Sequence, residues 1–109
     1  MVRPVSSIRN LGPATEAAFA RAGVHSAEEL IALGPDEGYR RLLLAGERPH
    51  FIGYYVMVMG LQGRPWNDCK GAEKAALRAR FDALKAESWD DRSAGLEAAL
   101  DAIGVGRRR

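Results

Sequence analysis

Residues 8–33, IRNLGPATEAAFARAGVHSAEELIAL, write two short helices and the turns that bound them, and their reading decides the fold. Asn10 and Gly12 tolerate a left-handed backbone, and Pro13 suits the first position of a helix. A turn ending on a helix N-terminus leaves several amide N–H groups without intrahelical partners, an arrangement that receives phosphate well. The question of function is therefore whether this turn meets nucleic acid or only shapes a core.

Working outward, Gly23, Gly34 and Gly46 each follow an apolar-periodic segment of about three turns, as expected just past a helix C-terminus. Val24 supplies the hydrophobic contact of a left-handed cap after the first helix, residues 13–22. Ser26 opens the second helix, and Glu29 three residues later completes a capping box. Pro35 starts a third, with Asp36 and Glu37 in its first turn and Tyr39, Leu42 and Leu43 on its core face. Residues 51–61 are apolar on nearly every face, the pattern of a central buried helix. Gly53 and Gly60 lie on one side of it and admit close approach of a neighbouring helix. A turn at residues 64–68 leads to a helix over 71–86, where Leu77, Phe81 and Leu84 recur at i, i+4 and i+7. Beyond Trp89 and the acidic pair Asp90-Asp91, Leu96, Leu100 and Ile103 carry a weaker helical pattern that closes the core or pairs with a partner. The one β-branched and aromatic run, residues 54–58, lacks alternation and a hairpin turn. The expected fold is all-α, a compact bundle of five or six short helices.

Composition bounds the function. With 109 residues and 47% hydrophobic content, the chain suits one domain with a core. Cys69 stands alone, so no internal disulfide forms; with no signal-peptide pattern and no apolar run longer than about half a membrane span, a cytoplasmic location without membrane association is expected. The pI of about 9.0 owes much to Arg107, Arg108 and Arg109. Without that tail, 13 basic residues face 14 acidic ones, so the basic balance sits at the terminus. Lys74, Arg78 and Lys85 form the basic ridge of the fifth helix, their stems covering apolar surface while the charges stay in water. His25, His50 and Cys69 have no nucleophile–base or metal-ligand spacing around them, and no phosphate-binding glycine motif occurs. No enzymatic activity, cofactor or metal is expected. Trp66 and Trp89 read as packing residues, not base-stacking platforms.

The segments Arg9-Asn10-Leu11-Gly12-Pro13-Ala14, Ala22-Gly23-Val24-His25-Ser26-Ala27-Glu28-Glu29-Leu30, Leu33-Gly34, Gly38-Tyr39-Arg40-Arg41-Leu42 and Leu61-Gln62-Gly63-Arg64-Pro65-Trp66-Asn67-Asp68 closely resemble the C-terminal domain of TfoX-type (Sxy-type) regulators of bacterial competence. The resemblance implies a helix-hairpin-helix or SAM-like bundle over residues 5–86, with residues 87–109 an additional C-terminal helix and basic tail. The resemblance does not extend to the family's usual N-terminal α+β domain, so it implies a stand-alone C-terminal domain and does not by itself carry over a whole regulator's role in competence. The segment from Leu11 to Leu30 is also similar to the hairpin of the C-terminal domain of the RNA polymerase alpha subunit. There, positions matching Ala14 and Ala17 carry an arginine and an asparagine that contact DNA. Alanine at both removes the side chains that would read the minor groove.

Two readings follow. In the first, a regulatory, DNA-associated module holds the nucleic-acid backbone through Arg9, Asn10, Gly12, Thr15 and Arg21, helped by the terminal arginines and more weakly by the Lys74, Arg78 and Lys85 ridge. In the second, the same helices form a protein-interaction adaptor for a transcription or DNA-uptake component, with no DNA binding. Oligomeric state has no signature in the sequence.

Overall fold

Each helix end is written in a few residues, and the computed structural model, which describes residues 2–89, places those ends where side chains or glycines support them. A 3-10 turn at Val5–Ser7 leads into α1 (Pro13–Arg21), α2 (Ala27–Leu44), α3 (Phe51–Leu61), a second 3-10 turn at Trp66–Asp68, and α4 (Gly71–Ser88). The first helix closes through Gly23, whose positive φ of 86° lets its N–H donate to the Ala20 carbonyl while the Val24 N–H donates to that of Phe19. The same two-bond closure recurs after α2 and after α3.

Four α-helices stand among the described residues instead of the five or six expected. Segments expected as separate helices run on as α2, broken at Gly34, where φ is 83° and ψ is 167°. Pro35 after it suits a new first turn, so the break lies where the sequence placed it. The helix expected around Leu96, Leu100 and Ile103, and the basic tail, lie outside the described residues.

Ser26 caps α2 by accepting a hydrogen bond from the Glu29 N–H at 3.1 Å. The return arm of the capping box is displaced by one residue: the Glu29 carboxylate accepts from the His25 N–H, not from that of Ser26. The N-terminal segment completes this end. The Ala27 N–H donates to the Arg3 carbonyl at 2.8 Å, and Arg3 donates through its backbone N–H and Nε to Glu28 at 2.9 and 2.8 Å. These bonds hold the Glu28 carboxyl down to about 2.

The core gathers Phe19, Leu30, Tyr39, Leu43, Tyr54, Met57, Met59, Leu77, Phe81 and Leu84. Its centre is aromatic: Tyr39 meets Tyr54 edge-on at 5.2 Å, and Phe81 lies 5.5 Å from Phe51. One buried hydroxyl needs a partner there. Tyr54 donates to Asp36, and Arg80 donates to the same carboxylate at 3.0 and 2.7 Å, joining α3 and α4 to the turn after the Gly34 break. Burial and the neighbouring carboxylate push the Tyr54 hydroxyl pKa upward. Burial also raises that of Asp36, but Arg80 and Tyr54 outweigh it, and the net direction is downward.

The glycine pair of α3 works differently from expectation. A Cβ on Gly60 would lie 2.0 Å from the Arg9 carbonyl oxygen, so this glycine admits the turn before α1, not a helix. Gly53 meets only the His50 Cβ, at 3.8 Å.

Candidate nucleic-acid interface

The turn before α1 is held against α3 from two sides. Asn10 takes the left-handed backbone, with φ of 73°, and its Nδ2 donates to the carbonyls of Val56 at 3.2 Å and Arg64 at 2.9 Å. Gly60 leaves room for the adjoining Arg9 carbonyl. Asn10 therefore acts as a strut, its amide protons spent on two carbonyls far away in sequence. Gly12 is extended, with φ of −118°, and is not the left-handed residue of the turn.

That anchoring presents the start of α1. Gly12 is the N-cap and offers no side chain to the first turn; Pro13 has no N–H, and the first intrahelical bond runs from Glu16 to the Gly12 carbonyl at 3.0 Å. The Ala14 and Thr15 amides have no acceptor among the described residues. They contrast with the start of α2, closed by Arg3 and Ser26. Glu16 is an anion in this first turn, but its carboxylate accepts from the Ser6 N–H at 3.0 Å, and that bond lowers its pKa.

Ala14 and Thr15 line a cavity of about 220 Å³. Ala18, Tyr39, Leu42 and Leu43 form its floor, and Glu47, Arg48, His50 and Gly53 contribute its rim. Tyr39 fixes the rim, since its hydroxyl accepts from the His50 N–H at 2.7 Å and donates to the His50 carbonyl at 3.2 Å. Burial raises the Tyr39 pKa. The remaining site residues divide. Arg21 is bound to Glu47 at 3.0 Å, which neutralises that carboxylate on the rim. Arg9 and Arg48 are exposed and have no carboxylate partner among the described residues.

The α4 ridge lies apart from this turn. Lys74 stands 5.2 Å over the Tyr55 ring, Arg78 5.0 Å over Phe51, and Lys85 5.6 Å over Phe81, each stem covering aromatic surface as expected. Arg78 is also paired with Asp82 at 3.2 Å. Trp66, expected to pack, is 53% exposed, whereas Trp89 rests against the core. Cys69 is buried, and burial raises its thiol pKa. No group of three or more His, Cys, Asp or Glu gathers among the described residues, and none of their helices is long and apolar enough to cross a membrane.

The model of the TfoX C-terminal domain matches residues 1–81 of this chain. The chain belongs to that family. No match was found among the curated proteins or the solved structures. Within this TfoX C-terminal domain, several sequence segments that carried the resemblance prove to be joints: Asn10 meets the Arg64 carbonyl, and Arg64 in turn donates twice to Glu73, at 2.7 and 2.8 Å. Arg48 is the residue that sequence reading missed. It lies in a connector with no periodicity, and only the packing of Tyr39 on His50 brings that connector beside Thr15.

Proposed function

We propose that this chain is a small non-enzymatic regulatory module that binds the nucleic-acid backbone at the start of α1. The observation that carries this reading is the pair of amides at Ala14 and Thr15, unpartnered among the described residues, set in one cavity with Arg48, which has no carboxylate partner among those residues, and preceded in the chain by exposed Arg9. A helix N-terminus with open amides and nearby guanidinium groups favours phosphate oxygens. Exposed Ala14 and Ala17 offer nothing to a base edge, so binding is insensitive to sequence. Among the residues named from sequence, Arg9, Gly12 and Thr15 remain in the proposed site. Asn10 supports it, and Arg21 acts through Glu47. Family membership supports a regulatory role, and competence regulation in the cytoplasm is the process it favours.

The test is fluorescence anisotropy of duplex DNA titrated with the full chain across a salt series. Log affinity should fall linearly with log salt, with a slope of about −0.9 per phosphate neutralised, and Arg48→Ala should make the slope shallower by about one such contact. Absent binding at low ionic strength, or an unchanged slope in that variant, contradicts the reading.

Exposed Trp66 favours the second reading, an adaptor for a transcription or DNA-uptake protein. In that case Trp66→Ala abolishes partner binding and DNA affinity is absent throughout.

A further inference from the structure

A second groove, of about 500 Å³, shares only His50 with the cavity beside α1. Pro49, Phe51, Ile52 and Phe81 make it apolar, Arg78 and Lys85 make it cationic, and no carboxylate of the described residues lines it. Ile52 is 53% exposed although α3 is the most apolar helix of the described residues. The two cations are seven residues apart on α4, so they share one face of that helix, about 10.5 Å apart along its axis. Each keeps donors in hand. Arg78 gives only its Nε to Asp82, at 3.2 Å, and its terminal nitrogens have no acceptor among the described residues. Lys85 has no carboxylate at ion-pair distance among them.

We propose that this groove receives an acidic amphipathic helix of a partner protein, with carboxylates at i and i+7 and large apolar residues at i+3 and i+4. Charge complementarity selects that chemistry. Carboxylates at i and i+7 match the Arg78–Lys85 spacing of about 10.5 Å, so each meets one cation, and the apolar pair between them falls on the same face, over Ile52 and Phe51. The rings argue against nucleic acid in this groove. Arg78 lies 5.0 Å over Phe51 and 5.4 Å over Phe81, and Lys85 lies 5.6 Å over Phe81, so cations already occupy ring faces on which a base would stack. Ile52 offers a base no ring face at all. A second copy has the wrong charge, because a twofold pairing lays this cationic lining against itself. The inference needs neither reading of the function given above, since Trp66, Arg9 and Arg48 do not line the groove.

The test is fluorescence anisotropy of a labelled alanine-based peptide that carries two glutamates at i and i+7 and two leucines at i+3 and i+4, titrated with the full chain at low ionic strength. The peptide should bind saturably, and a version with lysines for the glutamates should not. Ile52→Ser should weaken binding by about tenfold, as loss of a central apolar anchor does. Lys85→Glu should weaken it at least as much and should confer binding of the lysine peptide. Both side chains reach solvent, so the fold persists in each variant, which thermal melting checks. Absent binding of the glutamate peptide overturns the proposal, as does equal binding of the lysine peptide or affinity unmoved by both substitutions. Loss of duplex DNA binding in Lys85→Glu, with no glutamate-peptide binding by the parent chain, would make the groove a nucleic-acid surface instead.

Discussion

Replacing Gly12 with aspartate separates binding from folding at the start of α1. Gly12 has a φ of −118°, open to any residue, and a Cβ there meets nothing within 4 Å. Aspartate is among the best N-cap residues; relative to glycine it gains a few tenths of a kcal/mol, and a carboxylate near the helix start adds about 0.3–1 kcal/mol. The combined gain of about 0.5–1.4 kcal/mol raises Tm by roughly 2–11 °C in a domain of this size. The same carboxylate accepts from the free amide of Ala14 or Thr15 and repels phosphate. The variant should therefore melt higher and lose DNA binding, a pairing that damage to the fold cannot imitate. Thermal melting followed by circular dichroism, with anisotropy on the same samples, reads both. A lower Tm would refute the assignment of an open cap, and undiminished DNA affinity would refute its use.

Other perturbations address the supports of the site. Gly60→Ala brings a methyl to 2.0 Å from the Arg9 carbonyl oxygen. Overpacking against backbone, about 3 kcal/mol or more, outweighs the roughly 1 kcal/mol gain in helix propensity, so denaturant melts should show a net loss near 2 kcal/mol. Asn10→Ala removes two hydrogen bonds to carbonyls and strains a residue with φ of 73°, and should destabilise by about 2–3 kcal/mol, whereas Asn10→Gly relieves the strain and loses less. Acid should weaken the N-terminal tie. The Glu28 carboxyl lies at about 2 against roughly 4.3 when unfolded, so its contribution is complete above about pH 4.3 and is lost as pH falls through about 2. Asp36, also lowered, has the same sign, and Arg3→Ala should flatten the acid limb of the stability profile by removing only the Glu28 part.

Local chemistry was legible in the sequence and distant chemistry was not. Gly23 followed by Val24, Ser26 three residues before Glu29, and Gly34 before Pro35 each specify a helix end through neighbours within a few residues, and each end lies there. The Leu77, Phe81 and Leu84 stripe is buried for the same reason. Asn10 shows the limit: its tolerance of a left-handed backbone is intrinsic, but its two carbonyl partners lie 46 and 54 residues away, and no periodicity encodes them. Gly60 announced a close approach without saying by what. Arg21 looked like a free cation until the connector placed Glu47 beside it, and that connector also brought Arg48 to the cavity. The lack of a capping side chain followed from Gly12 and Pro13, but that no distant carbonyl closes this start, as Arg3 closes α2, is visible only in the structure.

The most direct measurement is the amide NMR spectrum of the full chain titrated with short duplex DNA. The account predicts that the Ala14 and Thr15 amide signals move first and furthest, with Arg48 following and Ala27, already bonded to Arg3, unmoved. Shifts centred on Trp66 or on the α4 ridge, with Ala14 and Thr15 unchanged, would contradict it.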